Sequence, residues 1–372
     1  MGLTVREAGP GRGRDFESLP WHVRSAGSAA WTPPLPGDER RRFDPRHNPA
    51  LEGTTFARWV AWRDGDAVGR IAAFAPDAPA DVGYFGFFES VDAPDVATAL
   101  LRAAERWLAE RGRARVYGPI AINPRDEIGL LVEGFERPAT LLTPWNPPHH
   151  VRLLEGAGYG QAITLRSYMW TRDAVDHRGV LELAERSAAR SGVRLRTIDV
   201  RALPRETRLV ADLVNRSFGH IWGFVPISPG EADHLAHQLR PILDPSTVLI
   251  AEDEERGPCG VALSLPDPNW LVRRIGGRLW PLGWLQALRL RRRIPWLRLM
   301  AVAVLPDRRA SGTVAQLIRA LHLAWLRGGY EYCEMGQVFD DNVAMRRVMD
   351  RIRFPVVRRF AVYSRDLGGG SP

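Results

Sequence analysis

The sequence predicts an α/β protein with mixed, mostly antiparallel sheets, arranged as two tandem halves in which a twisted sheet is flanked by helices. Three observations predict it. The chain has 372 residues, 45% hydrophobic and 25% charged, more than one small core organises. Strand-like runs separated by turn residues alternate with amphipathic helical stretches. The order of these elements also recurs. A shift of 216 residues lays Leu101 on Leu317, Ala104 on Ala320, Gly112 on Gly328 and Phe88 on Val304, which internal duplication explains economically.

The first 48 residues are rich in Pro, Gly and Arg and read as an irregular extension, with Trp31 to Leu35 as a clamp onto the first domain. In the first half, residues 57–62 and 67–74 read as two strands around the turn Arg63-Asp64-Gly65-Asp66, and 83–89 as an aromatic strand. A helix follows over 94–111, with Leu100, Leu101, Ala104, Trp107 and Leu108 on one stripe and Gly112 past its end, then a strand at 115–117. The second half repeats the plan: strands at 248–252 and 259–265, a strand at 299–304, a helix over 312–326 and a strand at 330–334. The domain division is therefore 1–48, an extension packing on the first domain; 49–172, the first domain; 173–194, a connecting helix; 195–367, the second domain; and 368–372, a tail.

Composition excludes several function classes. No run of apolar residues is long enough to span a membrane and no secretory leader is written, so a cytoplasmic protein is expected. Cys259 and Cys333 cannot form a disulfide framework, and no Cys/His cluster has zinc spacing, so no metal is expected. All 51 basic residues are arginine, which excludes Schiff-base lysine chemistry.

The net charge of +8 is concentrated. Between Pro268 and Pro306 no acidic residue occurs, while Arg273, Arg274, Arg278, Arg289, Arg291, Arg292, Arg293 and Arg298 stand among Trp270, Trp280, Trp284, Trp296 and many leucines. Pro281 and Pro295 confine any helix to the stretch between them, with Leu282, Leu285 and Leu288 on one side and Arg289 and Arg292 on another. Such a mixture suits a basic helix packed on its domain or contact of 273–298 with an anionic membrane; nucleic acid, for instance a charged tRNA, is the weaker reading.

In the second half, strand 299–304 runs into Leu305-Pro306-Asp307-Arg308-Arg309-Ala310-Ser311-Gly312-Thr313 and then a long helix. A strand, a tight turn of small residues and a helix N-terminus aim backbone N–H groups at one spot, as anion sites do. The segment Val304-x-Pro306-x-x-Arg309-Ala310-x-Gly312-x-Val314, with Leu317, resembles the acyl-CoA loop of the GNAT superfamily of N-acyltransferases. Gly329-Tyr330-x-Tyr332-x-Glu334, Asp341-Asn342-x-x-Met345, Phe354 and Tyr363 continue that resemblance in register. Along nearly the whole chain, Gly69-Arg70-Ile71-Ala72, Gly83 to Glu89, Gly118-Pro119, Asp126 to Phe135, Asn146-Pro147-Pro148 and Trp222-Gly223-Phe224 are similar to a bacterial tandem-GNAT family to which bacterial ceramide synthase, a sphinganine N-acyltransferase, is itself similar.

The resemblance implies two GNAT-like domains, the first degenerate, and acyl transfer from acyl-CoA to a primary amine, with a long-chain amine such as sphinganine as one acceptor. It gathers Val302, Val304, Arg309, Ala310, Ser311, Gly312, Thr313 and Asn342 about the acyl-CoA. Ala310 and Val314 depart from the family's small and glycine positions, and Met349 stands where many members carry an acid tyrosine. The loop that the 216-residue shift places opposite, Glu89 to Val96, has three carboxylates and would repel a pyrophosphate, so one site per chain is expected. Strand 299–304 lacks the family's glutamate base. Candidates are Glu127 and Asp126, acids before the apolar run Gly129 to Val132, with Glu231 and Glu334 in reserve. His149 and His150 read as an exposed loop pair, His234 and His237 lack a third metal ligand, and Cys333 reads as a core residue. Three rival readings remain: an acetyltransferase of a small soluble amine, an aminoacyl-tRNA-dependent transferase, and an inactive CoA- or lipid-binding protein.

Overall fold

The computed structural model describes residues 2–9, 13–24, 29–173, 176–188 and 192–368. Its contacts divide the chain into two units. One comprises 1–165, 276–278 and 358–372, the other 166–275 and 279–357.

The N-terminal extension is in part regular. Thr4–Glu7 forms a strand, β1, antiparallel to the strand that follows the extension, and two helices, α1 (Gly13–Arg24) and α2 (Asp38–Arg42), come after it. Burial explains the order that local propensity hides. Phe16 and Leu19 of α1 are wholly buried, and Phe16 meets Phe43 edge to face at 5.5 Å. The buried Arg70 guanidinium binds the Phe16 carbonyl at 2.7 Å and both carboxylate oxygens of Glu39 on α2. Of the expected clamp, Trp31 packs edge to face on Trp21 at 5.5 Å.

Residues 54–118 follow their sequence pattern closely. Strands β2 (Thr54–Arg63) and β3 (Asp66–Pro76) pair through a turn in which Asp64 and Gly65 both take positive φ, as a two-residue hairpin requires. Next come β4 (Val82–Ser90), helix α3 (Pro94–Ala109) and β5 (Arg115–Gly118), parallel to β4. The α3 stripe of Val96, Leu100, Leu101, Ala104 and Leu108 is buried with Ile71, Phe85 and Val116. A short β6 (Leu130–Glu133) and helix α4 (His149–Gly156) complete this stretch, and β7 (Gly160–Thr171) runs into the second unit.

In the second unit, α5 (His177–Ala188) occupies much of the expected connecting helix, of which residues 174–175 and 189–191 lie outside the described residues. It is followed by β8 (Val193–Thr197), α6 (Leu203–Phe218), the Ser228-capped α7 (Pro229–Leu239), β9 (Val248–Asp253) and β10 (Gly257–Pro266). The basic stretch folds as α8 (Pro268–Arg274) and α9 (Gly283–Leu290). Then come β11 (Trp296–Val304), α10 (Thr313–Arg327), β12 (Tyr332–Phe339) and α11 (Val343–Arg351). The strand order here is β7-β12-β11-β10-β9-β8. Leu317, Leu321 and Trp325 of α10 bury against Val261, Leu297, Ala303 and Cys333 of this sheet. The last strand, β13 (Val356–Asp366), pairs antiparallel with β5 and β6, so residues 358–372 fall with the first unit, whereas the sequence division carried the second domain to 367.

The hairpin, strand, helix and parallel strand of β2-β3-β4-α3-β5 recur as β9-β10-β11-α10-β12. Two paired positions of the duplication match in burial, Leu101 and Leu317 both being core, as are Phe88 and Val304, whereas Ala104 is buried and Ala320 only partly so.

Candidate functional site

The second unit's sheet opens along one seam. Strands β11 and β12 pair in parallel from Trp296↔Tyr332 to Leu299↔Met335, and the pairing stops there although both strands run on, to Val304 and Phe339. The break coincides with a bulge. On its other side β11 pairs with β10 as Leu263↔Ala301 and then Ser264↔Leu299, which leaves Met300 as the extra residue that bends the strand away. On β12, the next residue is Gly336 at φ 127°, with its α-carbon so close to β7 that a side chain's Cβ would lie 2.8 Å from the Arg166 carbonyl. Two diverging strands whose facing N–H and C=O groups are not spent on each other offer main-chain partners to an extended ligand.

The helix that follows β11 begins shortly after the strand ends. Residues Pro306–Ser311 make a 3-10 turn, Gly312 takes φ 83° as N-cap, and α10 begins at Thr313, which is buried. The first N–H groups of α10 have no partner within the helix, and the helix dipole adds partial positive charge there. The loop is clamped from its sides. Arg308 pairs with Asp253, while Arg309 donates to the Val304 carbonyl at 3.3 Å and the Ser217 carbonyl at 2.7 Å. Arg309 therefore ties the loop to α6 and β11 through backbone oxygens. Val302 and Val304 lie on the diverging part of β11, and Asn342 caps α11 by accepting from the Met345 N–H at 3.1 Å. The backbone of Ala310 and Ser311 lies in the 3-10 turn.

In the first unit the equivalent seam is shut. Strands β4 and β5 pair from Val82↔Arg115 to Tyr84↔Tyr117, and the chain then stays on β4: the Ile120 N–H donates to the Phe85 carbonyl at 2.7 Å. By the 216-residue shift Phe85 corresponds to Ala301, beyond the point where β11 and β12 separate. Gly86 lets the backbones touch, since a Cβ there would lie 2.2 Å from the Ile120 carbonyl oxygen. The loop after β4 is also occupied. His149 and His150 sit on the Ser90 carbonyl at 3.0 and 3.2 Å, and Asp92 and Asp95 pair with Arg152 and Arg63.

The two histidines correct an expectation: His150 is wholly buried and His149 partly so, because they open α4 against the end of β4. His234 and His237 lie on α7, and no group of metal-ligand residues occurs among the described residues.

Of the four candidate acids, Asp126 and Glu127 lie in the first unit at Arg42. Asp126 accepts from Arg42 through both oxygens at 2.9 and 2.8 Å, and Glu127 lies 3.7 Å from the same guanidinium. Although burial lowers the Arg42 pKa, attraction to Asp126 and Glu127 holds it above the usual arginine range. Glu231 caps α7, its carboxylate accepting from the Ser228 N–H at 2.8 Å in a capping box. Glu334 differs from these three. It is wholly buried on β12, one residue before Met335, the last to pair with β11, and accepts from the Tyr332 hydroxyl at 3.4 Å.

The neighbour of Glu334 is not apparent from the sequence alone. Arg298, counted with the surface charges of the basic stretch, is buried on β11 in direct register with Glu334, so both side chains leave the same face of the sheet. A lone arginine among the strand's apolar residues was the available signal. Its guanidinium donates to the Glu334 and Leu299 carbonyls at 3.4 and 3.3 Å. Cys333 is core, its thiol pKa pushed well up by burial, and Met349 is buried in the same core.

This architecture, a repeated mixed sheet with one open parallel seam beside a helix N-terminus, is the tandem GNAT fold. A tandem GNAT protein from the clavulanic acid biosynthesis pathway superposes with a TM-score of 0.60 over 100% of both chains at 14% identity. A GCN5-related N-acetyltransferase from Sphaerobacter thermophilus gives 0.52 over 99% of this chain and 97% of its own at 15% identity. In sequence the chain is 29% identical over 349 residues to Protein YghO of Escherichia coli (strain K12), covering 91% of this chain and 88% of that protein. It is also 29% identical over 375 residues to the bacterial ceramide synthase of Caulobacter vibrioides (strain NA1000 / CB15N), covering 96% of each. No protein-family model matches the chain.

Proposed function

We propose that the protein is an acyl-CoA-dependent N-acyltransferase with one acyl-CoA site, in the second unit, and a primary amine as acceptor. The observation that carries this reading is the opening of β11 from β12 after Leu299 and Met335, beside the N-terminus of α10. Acyl-CoA supplies an activated thioester; the amine takes the acyl carbon, the C–S bond breaks, and the products are an amide and free CoA thiol. The chain's own groups fit the requirements of that exchange. The diverging strands carry main-chain groups for an extended pantetheine-like arm, and the first N–H groups of α10 favour phosphate. Glu334 is the residue best supported as proton acceptor from the amine, since it lies one pair from the point where the strands separate, whereas Glu231 caps a helix and Asp126 and Glu127 lie at Arg42 in the first unit. With Met349 buried in the core, the leaving thiolate is protonated from solvent.

For the acceptor we propose a long-chain amine such as sphinganine. The name of the ceramide synthase relative supports it, as does the apolar and basic surface around α9. Thiol release from acetyl-CoA and palmitoyl-CoA, each with and without sphinganine and followed by mass spectrometry of products, tests both levels. Release from palmitoyl-CoA that needs sphinganine and yields an N-acyl product supports the whole reading. In a parallel series with a small soluble amine in place of sphinganine, release with acetyl-CoA there alone retains the acyltransferase and overturns the lipid acceptor. CoA binding without release for any amine overturns the enzyme.

A further inference from the structure

Helix α9 carries apolar surface that its own unit does not use. One face packs: Ala287 and Leu290 lie on a small core of Trp270, Leu271 and Ile294. Another face does not. Trp284 and Leu288, four residues apart and so on one side of the helix, are 50% and 49% exposed, and the approach to the helix adds Trp280 at 81% and Leu282 at 69%. Of the eight large apolar side chains left exposed among the described residues, five fall between Leu279 and Leu288. Soluble surfaces rarely gather such residues without a partner.

The surrounding charge says what that partner is. No acidic residue stands between Pro268 and Pro306, and Arg289, Arg292 and Arg293 are exposed at the end of α9. A row of guanidinium groups beside projecting Trp and Leu matches the interface of an anionic bilayer, where phosphates meet arginine, indole sits at headgroup depth and leucine reaches the acyl chains. Leu282 and Leu288 have no counterpart on a nucleic acid backbone, which would pair with the arginines alone. At eight residues α9 is too short to cross a membrane, and among the described residues no helix is long and apolar enough to do so.

We infer that the surface formed by Trp280, Leu282, Trp284 and Leu288 with Arg289, Arg292 and Arg293 docks the protein in the plane of an anionic phospholipid bilayer. This inference rests on the exposed surface alone and its test involves no turnover, so it stands or falls apart from the acyl-transfer reading. The full chain is centrifuged with vesicles of phosphatidylcholine, with and without phosphatidylglycerol, at low and high salt. The parent protein sediments with the anionic vesicles, and less so at high salt. The variant R289Q/R292Q/R293Q loses about a hundredfold in partitioning, at roughly fivefold per arginine. The variant W280S/L282S/W284S/L288S stays in the supernatant while keeping the parent's circular dichroism, as its altered side chains are exposed. Lipids brominated in the acyl chains quench tryptophan fluorescence in the parent and less in W280F/W284F. A parent protein that ignores anionic vesicles, or variants that sediment as the parent does, overturns the inference. So does self-association of the parent, seen by velocity sedimentation and abolished by the apolar variant, or RNA binding without vesicle binding.

Discussion

Gly312 is the residue on which the anion-binding end of the proposed site turns. It caps α10 at φ 83° and ψ 2°, a left-handed conformation that costs a residue with a Cβ about 1–2 kcal/mol. In Gly312→Ala the loop has two responses. If it keeps its conformation, the second unit loses that free energy of folding. If it relaxes to negative φ, the first N–H groups of α10 turn away, and CoA affinity drops by about five- to thirtyfold, since 1.4 kcal/mol is a factor of ten. The two losses together come to about 1–2 kcal/mol. Urea denaturation followed by tryptophan fluorescence reads the first and calorimetric titration with CoA reads the second. A variant with the parent's urea midpoint and the parent's affinity would refute the reasoning, because a Cβ would then sit at that φ without penalty.

Three further outcomes follow from the same geometry. Arg70→Met leaves Glu39 buried without its guanidinium and costs about 3–5 kcal/mol in urea denaturation, of which adding Glu39→Gln returns a large part; equal losses in the single and double variants would contradict the pairing. His322, pushed down to about 4 by burial and then by His177, is neutral in the folded chain, so its contribution to stability is complete above about pH 6.5 and is lost as pH falls toward 4. Between pH 7.5 and 5.5 this amounts to about 1 kcal/mol, and His322→Phe should flatten that part of the pH profile of the urea midpoint. Glu334→Gln lowers kcat by tenfold or more with CoA affinity unchanged, whereas Glu231→Gln costs about 1 kcal/mol of stability with kcat unchanged, so kinetics beside denaturation curves sort the acids.

Local signals carried the hairpins and helices α3 and α10. Asp64-Gly65 names its own turn, and the apolar stripe of α3 and its repeat in α10 name buried faces, so their bounds agree within a few residues. Order in the N-terminal extension was hidden because it comes from tertiary contacts. β1 is four residues long, α1 contains Pro20, and what holds them is Phe16 on Phe43 and Arg70 on the Phe16 carbonyl, far apart in sequence. The seam was legible as a loop motif but not as an opening, since the bulge at Met300 and the close approach of Gly336 to β7 leave no periodic trace. Arg298 shows the same limit from the other side. A single arginine in a basic stretch reads as surface, and only the register with Glu334 puts it inside.

Hydrogen–deuterium exchange of the full chain, with and without CoA, tests the location of the site most directly. With CoA, exchange slows in residues 300–316 and 336–342, the separated strands and the start of α10, while 86–97 and 118–126 are unchanged. Protection that appears in 86–97 and spares 300–316 would contradict that location, because CoA would then occupy the seam that the Ile120-to-Phe85 hydrogen bond closes.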